Sequence, residues 1–387
     1  MELRTSIQNQ EGDMNQKRGI KYVSWIAILA MVLLLSACAQ SNGQQTVGAG
    51  ENDGPITNGS GAASEPSGAA TGNDKGEDTG ETIYLYGNDF VDFIAPKFTE
   101  DTGFKLEAVH YGGGEALAKI EAEQGNPQWD VLMMDGHGSV QSLADRDFLM
   151  KNLEPTNLEY LSEVGKDYLP EDHAYFPVGI HAAGVIAYNT TKVSSEDAPT
   201  TWEQFFDYDG PVGHADPAVA APAYPLVSAF FDQWGVEGGK QKYVERFAKG
   251  LHVYPKNGPV GKALLSGEIE VAALQEHNAY ELKLAGEPIE VIWPEEGAPG
   301  SLRVVAISKD TKNPAAAKAF VEYMLKPETQ QMLTMLDSSD SFFTPLAEGV
   351  ATRTEREPNG IFLLPSAMWA SEHEMEIKTW FADQNVK

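Results

Sequence analysis

Asp130-Val131-Leu132-Met133-Met134, ending at Asp135-Gly136-His137-Gly138, is the third of three short apolar runs that set the fold class. The first, Thr82-Ile83-Tyr84-Leu85-Tyr86, is broken by Gly87-Asn88, and the second runs from Lys105 to His110. Between them lies a periodic apolar segment, Phe90 to Phe98, closed by Gly103, in which Pro96 should kink the helix or mark its boundary. Gly112-Gly113-Gly114 then forms a turn into a helix over Glu115 to Glu123. Strands that alternate with helices in this way indicate a parallel, doubly wound sheet. Such sheets bind ligands beyond the carboxyl ends of their strands. That rule points to Tyr86, Gly87 and Asn88, to the turn with Gly113 and Gly114, and to Asp135, Gly136 and His137. Two readings stand for each. The glycines serve backbone angles alone, or their amides open a helix toward an anionic group. Asp135 caps the following helix, or it touches ligand.

The same alternation returns further along. Gly184-Val185-Ile186-Ala187-Tyr188-Asn189 is a strand; Pro199-Thr200-Thr201-Trp202-Glu203-Gln204-Phe205 follows, with Thr200 or Thr201 placed to cap a helix near Trp202. Val212 to Pro217 is a strand ending in a loop at Asp216, and Ala221 to Trp234, which carries Tyr224, has helical apolar spacing. Asn257-Gly258-Pro259 precedes a helix, Gly267 to Leu274 reads as turn and strand with Tyr280 just past it, and Ile289 to Trp293 is a further strand. After a strand over Gly300 to Ile307, Asn313 caps a helix with Pro314 in its first turn and Ala317, Phe320, Val321 and Met324 on one face; Pro327 opens another.

Upstream, Lys17, Arg18 and Lys21 precede an apolar run from Trp25 that ends in Leu35-Ser36-Ala37-Cys38. A basic flank, a dozen apolar residues and small residues before the cut form an export signal over 1–37. Leu-Ser-Ala-Cys resembles the lipobox of bacterial lipoproteins, which implies that Cys38, the single cysteine, becomes the lipidated (palmitate-bearing) first residue of the mature chain. Residues 38–80 are rich in Gly, Ser, Thr, Asn and Ala and cannot bury enough apolar area to order themselves, so they read as a tether. Its reach is about 35 Å. The mature chain carries 24 basic against 54 acidic residues, a net charge of −30. Such a surface argues against nucleic acid or anionic lipid as partner; it serves solubility or favours a cationic ligand.

Taken together, the segments resemble the extracellular solute-binding proteins of bacterial ABC importers, in the group of ferric-iron, thiamine, polyamine and phosphonate binders. The motifs that carry this are Gly184 to Asn189, Pro199 to Glu203, Ser266-Gly267-Glu268, Asn313-Pro314-Ala315-Ala316-Ala317-Lys318-Ala319-Phe320 and Lys326-Pro327-Glu328-Thr329-Gln330. The resemblance implies an α/β, two-lobed type II periplasmic-binding-protein fold. Each lobe is then a mixed sheet flanked by helices, joined by hinge strands near His181 and Ser301. One lobe is expected over 81–180 plus 298–340 and the other over 181–297, with 341–387 packing on the second. Function follows as capture of a small solute in the cleft and delivery to an ABC permease. The protein would be a monomer, lipid-anchored on the outer side of the cell membrane, with no cofactor and no resident metal.

Ferric-iron relatives carry two adjacent tyrosines where this chain reads Gln275-Glu276-His277-Asn278-Ala279-Tyr280, and no two tyrosines adjoin anywhere. Iron is thereby disfavoured and kept as the alternative. Tyr86, Asp135, Tyr224 and Tyr280 suit an organic cation; the glycine turn and Asn257-Gly258 suit a phosphonate or carboxylate. Both leave a small polar organic solute as the expectation. The chain lacks a Gly-x-Ser-x-Gly elbow, a Gly-x-x-x-x-Gly-Lys-[Ser/Thr] loop and a His-Glu-x-x-His pair, so an enzyme is not expected. A ligand-sensing surface lipoprotein or a cell-surface enzyme remains the other class.

Overall fold

The computed structural model describes residues 82–384 apart from 221 and 358–359. The export signal 1–37, Cys38 and the tether to residue 80 lie outside the described residues. Strand β1 (Thr82–Gly87) lies between β2 (Lys105–His110) and β3 (Val131–Asp135), all parallel, as the three apolar runs require. β4 (Tyr175–Ala182) leads into β5 (Val185–Asn189); then come β6 (Val212–Ala215), β7 (Leu251–Tyr254), β8 (Val271–Leu274), β9 (Ile289–Ile292) and β10 (Ala298–Ile307), with the two-residue strands β11 (Thr344–Pro345) and β12 (Phe362–Leu363) last. One sheet has the order β11-β4-β10-β3-β1-β2, with β12 on the start of β10; the other has the order β7-β6-β8-β5-β9. Each is mixed: β10 runs antiparallel to β3 and β4, and β5 antiparallel to β8 and β9.

Two lobes result, each with its own core. In the first, Phe98 meets Phe104, Phe320 and Tyr323 at ring centroid distances of 6.5, 5.6 and 5.4 Å. That contact explains why the helix Val91–Thr102 continues through Pro96 instead of ending there. Proline costs a helix about 3 kcal/mol, and burial of Val91, Ile94, Ala95 and Phe98 on one face outweighs it at about 1.5–3 kcal/mol for each large side chain. In the second lobe Trp202, Phe206, Phe230, Tyr243 and Phe381 make a run of edge-to-face contacts. Thr201 caps the Trp202–Asp207 helix by accepting from the Gln204 amide. Arg246 is buried without a carboxylate and donates instead to the carbonyls of Phe206, Tyr208, Gly210 and Lys249.

The lobes join where β4 passes to β5 through only Ala183 and Gly184, and where β9 passes to β10. His181 pairs with Ser301 and Ala182 with Gly300 at this crossing. The segment after Ser341, expected on the second lobe, touches both. β11 adds to the first sheet, and the helix Ala367–Gln384 packs on the helices His137–Asp145 and Ala223–Trp234. A buried ion pair fastens the crossing. Glu276 opens the helix Glu276–Leu284 and accepts from the Ala182 amide at 2.7 Å and from Arg356 Nη2 at 3.0 Å. Arg356 also donates to Thr344 in β11, and its guanidinium lies 5.3 Å from the Trp293 ring and 5.6 Å from that of Phe362.

Glu276→Gln keeps an acceptor for Ala182 but leaves the guanidinium without its counter-charge. Breaking a buried pair costs about 3–5 kcal/mol, so urea unfolding should show a loss of that order; a loss within scatter would remove Glu276 from this role. A second expectation concerns His214, whose buried ring donates through Nδ1 to the Ala215 carbonyl at 2.7 Å and meets Tyr243 edge-on. Burial pulls it down to about 4, with the Ala215 carbonyl opposing. An unfolded histidine takes up its proton near pH 6.5 and this one does not, so its contribution to stability falls as pH drops from about 6.5 to about 4. The thermal midpoint of His214→Phe should therefore depend less steeply on pH across that window.

Candidate functional site

At the crossing, a chain of polar side chains passes from one lobe to the other. It begins in the second lobe, where Asn257 Nδ2, at the start of the helix Asn257–Ser266, donates to Gln275 Oε1 at 2.7 Å. Gln275 Nε2 lies 3.0 Å from His181 Nε2. An amide nitrogen only donates, so this His181 nitrogen accepts and the ring proton sits on Nδ1. Nδ1 faces Asp135 Oδ1 at 3.7 Å. Burial first, and then the charge of Arg303, hold His181 well below its ordinary range, so the ring is neutral.

Asp135 ends β3, and Asp89 follows β1. Arg303, in the middle of β10, reaches both: Nη2 donates to Asp89, and Nε lies 3.3 Å from Asp135 Oδ1. The guanidinium lies against the rings of Phe90 and Phe343, at 4.7 and 5.1 Å from their centres. Only 1% of Arg303, 3% of Asp135 and 8% of Asp89 is exposed. One cation therefore serves two carboxyls, and the two respond in opposite directions. Burial raises Asp89, but the charge of Arg303 foremost, with smaller contributions from its surroundings, more than offsets it and holds the group at about 2. Asp135 is pushed well above the carboxylate range by burial and then by the charge of Asp89. Asn88, half-buried, bridges the pair, with Nδ2 at 2.9 Å from Asp89 Oδ1 and 3.4 Å from Asp135 Oδ2.

Of the residues singled out by the strand-end rule, Asn88 and Asp135 thus join one network, together with Asn257 of the Asn257-Gly258 pair. Asp135 does not cap the following helix, whose N-cap is Gly136 in the left-handed region at φ 100°. Gly87 has no room for a side chain against the Met133 carbonyl. Gly113 and Gly114 open the helix Gly113–Ala122 beside the second lobe's loop after Asp216, and a Cβ on Gly114 would lie 3.5 Å from the Val219 carbonyl. A groove of about 580 Å³ runs there, closed behind by Glu374 and Lys378. Asp216 itself accepts from the Ala218 amide in that loop.

The aromatic candidates are engaged elsewhere and share no partner. Tyr86 donates to Glu123 and packs edge-on against Tyr111. Tyr224 donates to the Ala370 carbonyl, and Tyr280 stacks on Phe342 at 5.1 Å and accepts from the Glu357 amide. His137 is buried against the Pro365 carbonyl at 3.0 Å, and burial lowers it to about 4. Sequence reasoning passed over Asp89, His181, His277 and Arg303 as site residues. One signal was available: Arg303 is the sole charge within Leu302-Arg303-Val304-Val305-Ala306-Ile307, a run that reads as a fully buried strand, and a buried arginine demands carboxylates nearby.

Residues 94–359, more than half of the chain, match the family described as bacterial extracellular solute-binding protein. Spermidine/putrescine-binding periplasmic protein 1 of Haemophilus influenzae is 26% identical over 267 residues, covering 66% of this chain and 73% of its own length. A putative 2-aminoethylphosphonate-binding periplasmic protein of Salmonella typhi is 21% identical over 251 residues, or 62% and 70% of the two chains. Among solved structures, iron-bound HitA from Pseudomonas aeruginosa has a TM-score of 0.68 at 22% identity, over 78% of this chain and 99% of that one. AfuA from Actinobacillus pleuropneumoniae, with exogenous fructose-6-phosphate bound, has a TM-score of 0.69 at 21% identity, over 78% and 98%. These neighbours bear out the type II periplasmic-binding-protein architecture, and with the family match over the body they establish that the chain belongs to the bacterial extracellular solute-binding proteins of ABC importers.

Proposed function

We propose that this protein captures a small polar organic solute bearing a protonated amine between its lobes and passes it to an ABC permease. The observation that carries the reading is the arrangement at the crossing: two buried carboxyls, Asp89 and Asp135, share the single guanidinium of Arg303. Such a cluster has room for one more positive charge. The network also draws on both lobes, through Asn257 and Gln275 on one side and Asn88, Asp89 and Asp135 on the other. A solute that adds contacts to both sides stabilises their approach, which is how ligand shifts the population in hinged binding proteins.

Two relatives support the choice of an amine, since a polyamine and 2-aminoethylphosphonate share an ammonium group while differing in the rest. The role is binding; no catalytic step is assigned to the cluster. Cys38 would carry the lipid that holds the protein at the outer face of the membrane, within reach of the permease. Export and acylation there are read from the Leu35-Ser36-Ala37-Cys38 pattern.

A thermal-shift panel of putrescine, spermidine, 2-aminoethylphosphonate, thiamine, neutral sugars and ferric citrate tests the solute class. A ligand at 100 times its Kd should stabilise by about 2.7 kcal/mol, a rise of several degrees in Tm. The amines should give the response; a response confined to ferric citrate or to sugars would overturn the amine assignment.

A further inference from the structure

We propose that the solute's ammonium takes the place of a proton held between Asp89 and Asp135, so that capture releases about one proton to solvent. This rests on the reading of the buried network as the solute site. The two carboxyls share the Asn88 amide and share Arg303, whose single charge neutralises one of them. Two carboxylates in one desolvated site cannot both ionise at low cost. With Asp89 ionised against the guanidinium, the proton falls to Asp135, in keeping with the opposite displacement of the two groups.

Four other charged or titratable groups stand around the pair. From β4, His181 is neutral. From the helix Glu276–Leu284, His277 lies with its ring centre 5.9 Å from that of His181. From the turn Ser339–Ser341, Asp340 is itself raised, by burial and by the charge of Asp89. Arg356 acts on His181 but is matched by Glu276.

Asn88 marks the way in. Its amide already donates to both carboxyls, at 2.9 and 3.4 Å, which shows that one donor can serve the pair, and the residue is only partly buried. An ammonium brings three donors and a charge to the same place. It converts Asp135 from acid to carboxylate, and the Asp135 proton leaves to buffer; no other bond is made or broken. The solute's charge then replaces the proton's, and the site stays balanced.

Calorimetric titration of the native protein with putrescine and with 2-aminoethylphosphonate, in paired buffers of unlike ionisation enthalpy between about pH 5 and about pH 8, reads the proton directly. The expected result is release of about one proton per amine where Asp135 holds it, with affinity falling up to about tenfold per unit of acidification. Asp135→Asn keeps a neutral donor toward Asp89; it should bind amine more weakly, with no proton release and little pH dependence. Should that variant not fold, the buffer comparison on the native protein decides alone. Binding of an amine with equal enthalpies in paired buffers and a flat pH profile would overturn this inference and leave the amine reading standing. Failure of both amines to bind at any pH would overturn the two together.

Discussion

The Glu276–Arg356 pair is the constraint on which the two-lobed arrangement depends. Ala182 ends β4 with β10 on one side only, the next residues must cross to another sheet, and the Ala182 amide faces the side that β11 does not reach. A buried amide without a partner costs about 1–3 kcal/mol. Glu276 supplies the acceptor, and in doing so brings a carboxyl group to a fully buried site. Arg356 answers that group from a loop far along the chain and in turn holds Thr344, the residue through which β11 adds to β4. One carboxylate thereby ties the first residue of a second-lobe helix to the last residue of a first-lobe strand.

The same logic extends to Arg303. β10 is buried along its whole length because β3 and β4 flank it, so any charge on it must be answered within the protein. The answering groups come from the ends of the neighbouring strands: Asp135 where β3 stops and Asp89 just beyond β1. Strand-end position is also where a doubly wound sheet faces its ligand. On the proposed reading, the residues that neutralise the buried strand are the ones a solute would meet, and structural burial and recognition would draw on one set of charges. With two carboxyls against one guanidinium, that set is not closed on its own.

The elements were legible where periodicity alone decides them. The three parallel strands, the Thr201 cap, Pro314 at a helix start and the run over Gly300 to Ile307 all stand near where local pattern puts them. Placement failed where tertiary contact decides. Tyr86, Tyr224 and Tyr280 sit at positions consistent with a cleft, but a tyrosine's ring and hydroxyl go to whichever partners the fold brings near, here Glu123, Ala370 and Phe342. Pro96 breaks a local rule, and burial of Phe98 overrides it. His181 and Ser301 were visible as crossing points, yet nothing in the order of residues says that His181 would meet Gln275, 94 positions away.

The C-terminal helix adds a third tie that no local pattern announces. Its first half belongs to both lobes at once: Glu374 accepts from Ser139 at 2.6 Å, Gly138 has no room for a methyl group against Ala370, and the Ala370 carbonyl accepts from Tyr224 of the second lobe. Its later residues Ile377 and Phe381 are part of the second lobe's aromatic core. A helix packed this tightly cannot slide, because close-packed interiors switch between arrangements and do not deform smoothly. Any rotation of one lobe against the other must then pivot near the contacts it keeps: the β4 to β5 crossing, β10, and Gly138 against Ala370. The polar network from Asn257 to Asp89 lies beside that pivot, where a small rotation changes distances least. An ammonium bound there would thus find its carboxyls already in place and would act on the lobes through their charge, with the wider groove beyond Gly114 and Val219 left to take up the motion.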